Sequence, residues 1–272
     1  MGGGLVVARV GPGAGGRLDS QLVERGLVES RSRAQALVLA GYVEVGGRVA
    51  TKAGLRVSPE EEVSVRGGSP FVSRSGEKLA AALDHFGVGA SGRYAVDVGA
   101  STGGFTDALL QRGASGVLAV DVGYGQLDWR LRNDPRVTVL ERTNVRHLSG
   151  GDLPFGPDLL VADLSFISLG LALRELLSST PELREAVVLV KPQFEAGPGQ
   201  VGRGGVVRDP EVHRAVILQS AESFSELGFG AVDVMRSPVA GRRSGNREYP
   251  LHLLRGTEPE LPEERVLEVV EG

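Results

Sequence analysis

Residues 94–110, Y-A-V-D-V-G-A-S-T-G-G-F-T-D-A-L-L, constrain this chain more than any other stretch. Val96 and Val98 flank Asp97 in a short β run. Glycines follow at 99, 103 and 104, and Thr106 to Leu110 reads as the start of a helix. A strand, a tight glycine turn and a helix form the opening unit of an α/β sheet. Glycine has no Cβ and tolerates φ > 0, so a ligand can come close to such a turn. The amides at the helix start then face that ligand.

The spacing is G-x-x-x-G-G, so the G-x-G-x-x-G pyrophosphate fingerprint is missing. Asp97 precedes the glycines, and a second apolar run at 117–120 ends in Asp121, a placement that suits a ribose diol. Two acids without a phosphate cradle fit a nucleoside with a cationic centre, S-adenosylmethionine, better than NAD or ATP. Short glycine turns occur in many βαβ units, so the glycines alone leave the ligand open.

Further along, apolar runs alternate with helical patterns. Strands are predicted at 94–98, 117–121, 137–140, 158–162, 186–190, 230–235 and 249–254, and helices at 77–86, 105–112, 166–178 and 209–227. This is the pattern of a mostly parallel, Rossmann-like sheet of seven strands covered by helices on both faces. Ligands of such sheets sit at the carboxyl ends of the strands. The polar residues expected there are Asp97, Asp121, Asn144 (toward an adenine edge), Asp163 at the end of 159–162, and Lys191 at the end of 186–190. An apolar strand ending in Lys-Pro is unusual, because a lysine beside a cleft has a desolvation cost. If the last strand runs antiparallel to the others, Glu248 begins it on the same side, near Lys191 and Asp163. The loop after Lys191 holds Arg203 and Arg208 among glycines and reads as a flap over the site, with Phe194 near a target base.

Residues 17–67 read as a separate small α+β module. Leu18, Leu22 and Val23 make one helix stripe, with Gly26 at its C-terminal cap. Ser30 can cap a second helix over 31–40, whose buried face is Ala34, Leu37 and Val38. Tyr42 to Val45 alternates as a strand, and Gly46-Gly47 reads as a two-residue hairpin turn. Residues 62–65 form a later strand. Arginines and lysines gather at the helix starts and the hairpin. Residues 1–16 are expected as a disordered tail, 68–76 as a linker and 256–272 as an acidic tail.

The chain has 272 residues with a net charge of −4, which argues against a broadly basic nucleic-acid binder. The C-terminal segment alone carries six glutamates against Arg265, so the remainder is close to neutral and RNA binding must use a local patch. No apolar run approaches the ~18 residues of a membrane helix. The sequence has no cysteine and only four histidines, without metal-ligand spacing, so neither a disulfide nor a metal site is expected. The cytoplasm is the expected compartment.

The N-terminal module resembles the S-four-type RNA-binding domain, through R-L-D-x-x-L-V-x-R-G-L and S-R-S-R-A-Q-A-L-V-L-A-G-Y-V-E-V-G-G-R-V. That resemblance implies phosphate contacts from Arg31 and Arg33 at the start of the second helix; Arg17, Arg48, Lys52 and Arg203 of the flap are the further expected RNA-binding residues. Residues 75–254 resemble the class I RNA ribose methyltransferases of the FtsJ type. The stretches are S-G-E-K-L, D-V-G-A-S-T-G-G-F-T-D, A-V-D-V-G-Y-G-Q-L, T-N-V-R, D-L-S-F-I-S-L, L-V-K-P-Q-F-E and N-R-E-Y. Both modules in this order resemble the TlyA family. The resemblance implies a catalytic set of Lys78, Asp163, Lys191 and Glu248. It implies S-adenosylmethionine held by Asp97, Gly99, Ser101, Thr102, Gly103, Gly104, Asp121, Asn144 and Asp163. It implies methylation of cytidine 2′-hydroxyls in the ribosomal RNA of ribosomal subunits. In such a reaction Lys191, with its proton affinity lowered by burial and Lys78, takes the hydroxyl proton or stabilises the developing alkoxide. The alternative is a non-catalytic RNA-binding or ribosome-assembly factor that keeps the fold.

Overall fold

A computed structural model describes residues 15–28, 30–39, 41–65, 70–197, 199–202, 204–239 and 246–272. Arg203 and nearly all of the expected N-terminal tail lie outside these residues.

The N-terminal module contains α1 (Leu18–Glu24), α2 (Arg31–Leu39) and two small sheets. One sheet pairs β1 (Gly16–Arg17) with β4 (Arg56–Val57); the other has the order β3-β2-β5, from β3 (Arg48–Val49), β2 (Val43–Val45) and β5 (Val63–Val65). Gly46 and Gly47 both have positive φ, 56° and 75°, and Val45 pairs with Arg48 across them, the two-residue turn expected from the sequence. Ser30 Oγ accepts the Arg33 amide at 3.2 Å, capping α2. Leu18, Leu22, Ala34, Val38, Val43, Val57 and Val63 form the core, with Leu37 only partly buried at its edge.

The second module is a seven-stranded sheet in the order β11-β12-β10-β9-β6-β7-β8. Its strands are β6 (Tyr94–Val98), β7 (Gly116–Val120), β8 (Val137–Leu140), β9 (Leu159–Ala162), β10 (Glu185–Val190), β11 (Phe229–Val234) and β12 (Tyr249–Arg255). Its helices are α3 (Ser75–Phe86), α4 (Gly104–Gln111), α5 (Trp129–Arg132), α6 (Leu169–Ser179), α7 (Pro192–Glu195), α8 (Pro210–Ser225) and α9 (Glu263–Glu271). β12 runs antiparallel to both its neighbours, while the pairs β10–β9, β9–β6, β6–β7 and β7–β8 are parallel. Side chains alternate between two cores. Val96, Val98, Leu160, Ala162, Val188 and Val190 pack toward α6, α8 and α9. Ala95, Ala119, Val161, Val187 and Leu189 pack toward α3 and α4. Strands buried on both faces explain the near-continuous apolar runs in the sequence.

Two segments differ from expectation. The acidic C-terminal stretch is not a tail over its second half: α9 buries Val266, Val269 and Val270 in the sheet core and turns its glutamates outward. The spacing i, i+3, i+4 makes one apolar stripe within the charged run. The expected linker is tied down from Pro70 onward. The Val72 amide donates to Asp107 Oδ2 at 2.8 Å, Tyr42 Oη donates to the Phe71 carbonyl, and α3 already begins at Ser75. α3 and α4 approach closely at Gly76, where a Cβ would lie 2.8 Å from the Gly104 carbonyl oxygen.

Candidate active site

The strand order reverses direction at β6, whose neighbours are β7 on one side and β9 on the other. A crevice at the carboxyl ends of such strands is the expected ligand position. A cleft of about 600 Å³ lies there, bordered by Gly99, Ser101, Thr102, Asp121, Asp163, Lys78, Lys191 and Glu248. Gly41, Val49 and Thr51 of the N-terminal module also border it. The exposed Arg48 and Lys52 therefore flank residues at the rim of the cleft.

The four polar residues implied as catalytic meet here as two pairs. Lys78 Nζ, from the first turn of α3, donates to Glu248 Oε2 at 2.5 Å. Lys191 Nζ, at the end of β10, contacts Asp163 Oδ1 and donates to Ser165 Oγ at 3.2 Å. Lys78, Lys191 and Glu248 are all buried. Glu248 reaches this site because β12 runs antiparallel, so its start lies at the face where β10 ends.

The glycine turn splits into two roles. At Gly99, φ is +86° and a Cβ would lie 2.6 Å from the Asp163 carbonyl oxygen, so glycine is what lets this turn pack against the end of β9 where both border the cleft. Ser101 adopts φ 50° and donates its amide to Asp121 Oδ2 at 2.7 Å; the Gly123 amide donates to Asp121 Oδ1 at 2.6 Å. Asp121 is thereby fixed at the cleft edge as an acceptor. Gly103 and Gly104 do not border the cleft. A Cβ at Gly103 would strike Leu131 Cδ1 at 2.3 Å, and one at Gly104 would strike Ser75 Oγ at 2.1 Å. They are glycines because α4 packs tightly on α5 and α3, which corrects their expected place against a ligand.

Asp97 is also corrected. It alternates onto the α3–α4 face with Ala95, is fully buried, and accepts from Thr106 Oγ1 at 2.6 Å. Burial, with lesser contributions from Asp163 and Asp121, pushes its carboxyl up to about 7. Its Oδ1 has no hydrogen-bond partner among the described residues. Asn144 is exposed; its Oδ1 accepts the Arg146 amide at 3.1 Å, capping a short turn. Thr143 and Val145, not Asn144, border the cleft.

Two aromatic residues stand at the mouth. Phe194, expected there, packs on Phe166 with ring centroids 4.7 Å apart. Phe166 was not singled out in the sequence. It is 84% exposed and holds a left-handed φ of 69°, a conformation that costs energy for a bulky residue.

Arg17, Arg31 and Arg33 lie at the starts of α1 and α2. The buried Asp19 collects two of them: Arg17 Nε donates to Oδ1 at 3.1 Å and Arg31 Nε to Oδ2 at 3.0 Å. Gln35 Nε2 adds a third donor at 2.9 Å, and the Arg17 guanidinium holds the Asp19 carboxyl well below the usual carboxylate range. Arg31 is thus tied at Nε while its side chain stays more than half exposed. Arg33 borders a second groove, about 640 Å³, between the modules and facing Arg130 of α5. Among the described residues no group of three or more His, Cys, Asp or Glu is placed to hold a metal, and no helix is long and apolar enough to cross a membrane.

Residues 71–255 match the FtsJ-like methyltransferase family and residues 16–63 match the S4 domain. The chain belongs to the FtsJ-like methyltransferase family. Within it, the 16S/23S rRNA (cytidine-2′-O)-methyltransferase TlyA of Mycobacterium tuberculosis is 49% identical over 247 residues, 90% of this chain and 92% of the relative. Hemolysin A of Brachyspira hyodysenteriae is 37% identical over 88% of this chain and 99% of its own length. A solved structure from Streptococcus thermophilus, labelled a hemolysin, superposes with a TM-score of 0.73 at 37% identity, covering 96% of both chains. These relatives extend over both modules, so the pairing of an S4 domain with an FtsJ-like domain is itself shared.

Proposed function

We propose that this chain transfers a methyl group from S-adenosylmethionine to the 2′-hydroxyl of cytidine in ribosomal RNA, working in the cytoplasm on ribosomal subunits. The observation that carries the reading is the meeting of Lys78–Glu248 and Lys191–Asp163 in one cleft beside the Gly99–Thr102 turn. The tuberculosis relative, named for this activity on 16S and 23S RNA, supports the substrate.

The residues present fit the cofactor. The Gly99–Thr102 turn borders the cleft with bare or short side chains, Asp121 offers carboxylate oxygens to a diol, and Val122 and Val145 give apolar surface to a base. Asp163 and Asp121 supply negative charge toward a cationic nucleoside. When bound, S-adenosylmethionine supplies an electrophilic methyl group on a sulfonium. A ribose hydroxyl is a weak nucleophile, so the protein's part is to align it and to favour loss of its proton. Lys191 is held between Asp163 and Ser165, and Asp163 compensates an ammonium there. We assign Lys191 to orienting the hydroxyl and stabilising charge that develops on its oxygen. Lys78, fixed by Glu248, adds a second positive charge to the same cleft. Arg17, Arg31, Arg33, Arg48 and Lys52 are assigned to RNA phosphates, which position the substrate without reading sequence.

The test is transfer of labelled methyl groups to purified ribosomal subunits, with the modified nucleotide mapped. Absence of label on subunits from cells lacking the enzyme would overturn the reading.

A further inference from the structure

The N-R-E-Y segment contributes more than Glu248. Its four consecutive residues each reach a different part of the molecule. Glu248 takes Lys78, Arg247 donates to the Val270 carbonyl at the end of α9, and Tyr249 Oη bonds His213 Nδ1 at 2.9 Å. Asn246 is 2% exposed and turns both ends of its amide to the glycine-rich loop that follows α7. Its Nδ2 donates to the Gly205 carbonyl at 2.9 Å, and its Oδ1 accepts the Val207 amide at 3.3 Å. The Val207 carbonyl is held as well, by His213 Nε2 at 3.1 Å. Gly205 and Asn246 both border the cleft that contains Lys191 and Glu248.

Much of what ties this loop to the rest of the molecule passes through Asn246 and His213. Among the described residues its internal bonds include the Gly202 amide to the Val206 carbonyl and the Gly205 amide to the Gly202 carbonyl, both 3.0 Å, and the Gln200 amide to the Gly197 carbonyl at 3.2 Å. Glycine-rich backbone loses much entropy on ordering, so it holds one conformation only where side chains tie it down. Gly205 presents bare backbone to the cleft, and the group behind that backbone is the Asn246 amide.

We propose that Asn246 is a positioning residue for methyl transfer, pinning Gly205 and Val207 so that this loop forms part of the wall against which the target nucleotide is held. The inference rests on the methyltransferase reading and adds a residue that neither touches the transferred group nor pairs with the catalytic lysines. Its amide needs both a donor and an acceptor, so carboxylate and alkyl replacements fail differently.

The test uses the full chain with ribosomal subunits, comparing Asn246→Ala and Asn246→Asp with wild type. With Asn246→Ala, kcat/KM for the subunit falls about 10- to 100-fold, while the Kd for S-adenosylmethionine stays within about threefold and the thermal midpoint confirms folding. In Asn246→Asp, an ionised carboxylate faces the Gly205 carbonyl and repels it; once protonated it can donate there again. The activity of Asn246→Asp relative to Asn246→Ala therefore rises as pH falls. Lys78, Lys191, His213, Arg247 and Glu248 face this region in both proteins, so the ratio isolates the substituted side chain together with its effect on them. A ratio flat with pH, or an unchanged kcat/KM in folded Asn246→Ala, overturns the proposal. Tryptic cleavage within 199–209 gives a readout independent of catalysis, expected to be faster in folded Asn246→Ala. If wild type transfers no methyl to subunits yet this difference in cleavage holds, the pinning stands and the methyltransferase reading falls. Equal cleavage rates overturn the pinning itself.

Discussion

Removing Glu248 should unsettle the fold and the chemistry together, while removing both it and Lys78 should separate the two. The pair joins α3 to the start of β12 across 170 residues of sequence, and both side chains are buried, Lys78 at 7% and Glu248 at 4% exposure. Stripping one partner from a buried ion pair costs about 3–5 kcal/mol, because a charge stays behind without its counterpart. The pair borders a cleft that admits water, so the lower end applies, about 3 kcal/mol, or roughly 6–12 °C in Tm for a chain of this size. Replacing both with apolar residues of similar volume, Lys78→Met with Glu248→Leu, removes both charges and should return stability to within about 1 kcal/mol of wild type. All three proteins should lose methyl transfer. The assay is urea or thermal unfolding of wild type, both single variants and the double, beside labelled methyl transfer to subunits. The reasoning fails if the two single costs add in the double to within about 0.5 kcal/mol, since residues that share an interaction cannot be additive.

Lys191→Arg keeps a cation that cannot give up its proton, so retention of measurable turnover there, against about a 10²- to 10⁴-fold loss in Lys191→Ala, marks charge stabilisation; equal loss in both points to a base. Arg31→Glu with Arg33→Glu should weaken subunit binding and methylation together, leave S-adenosylmethionine affinity unchanged, and make the salt dependence of binding shallower by about one to two phosphate contacts. Wild-type subunit affinity in that variant would place recognition elsewhere. Asp97, with its carboxyl pushed up to about 7, holds a proton in the folded protein that the unfolded chain has already released. Stability should therefore fall as pH rises from about 4 to about 7, and Asp97→Asn should flatten that slope in denaturant titrations; parallel slopes would contradict the burial argument.

Much of this molecule is legible in its sequence, for identifiable reasons. The strands at 94–98 and 137–140 fall where expected because a sheet buried on both faces writes itself as apolar runs. Gly46-Gly47 is readable because two adjacent positive φ values need residues of that kind. The grouping of Lys78, Asp163, Lys191 and Glu248 depended on the direction of the last strand, which periodicity does not carry; the family resemblance supplied it. Asp97 misled because an acid beside a glycine turn resembles a ligand contact, whereas strand alternation buries it beneath α4 with Thr106 as its partner. Gly103 and Gly104 misled likewise, since packing against Leu131 and Ser75 demands glycine as strictly as a ligand would. Asn144 serves its own backbone, a local use that competes with any outward one. At α9 the glutamates outnumber the three buried valines, and composition hid the stripe.

β12 is made late in synthesis yet lies between β10 and β11, both made before it. The sheet is therefore completed by insertion of a strand into a gap, not by addition at an edge. Until residues 249–255 emerge, β10 and β11 each lack a neighbour, and Lys78, made near the start of the domain, waits for its carboxylate. The N-terminal module has a core of its own, in which no residue of β12 takes part among the described residues. On a translating ribosome the part assigned to RNA binding can thus mature first, while the methyl-transfer site stays incomplete until the last strand enters. Pulse-labelled hydrogen exchange during refolding would report this order as late protection of β10, β11 and β12. The order of synthesis thus lets the S4 module fold while the cleft still lacks one of its walls.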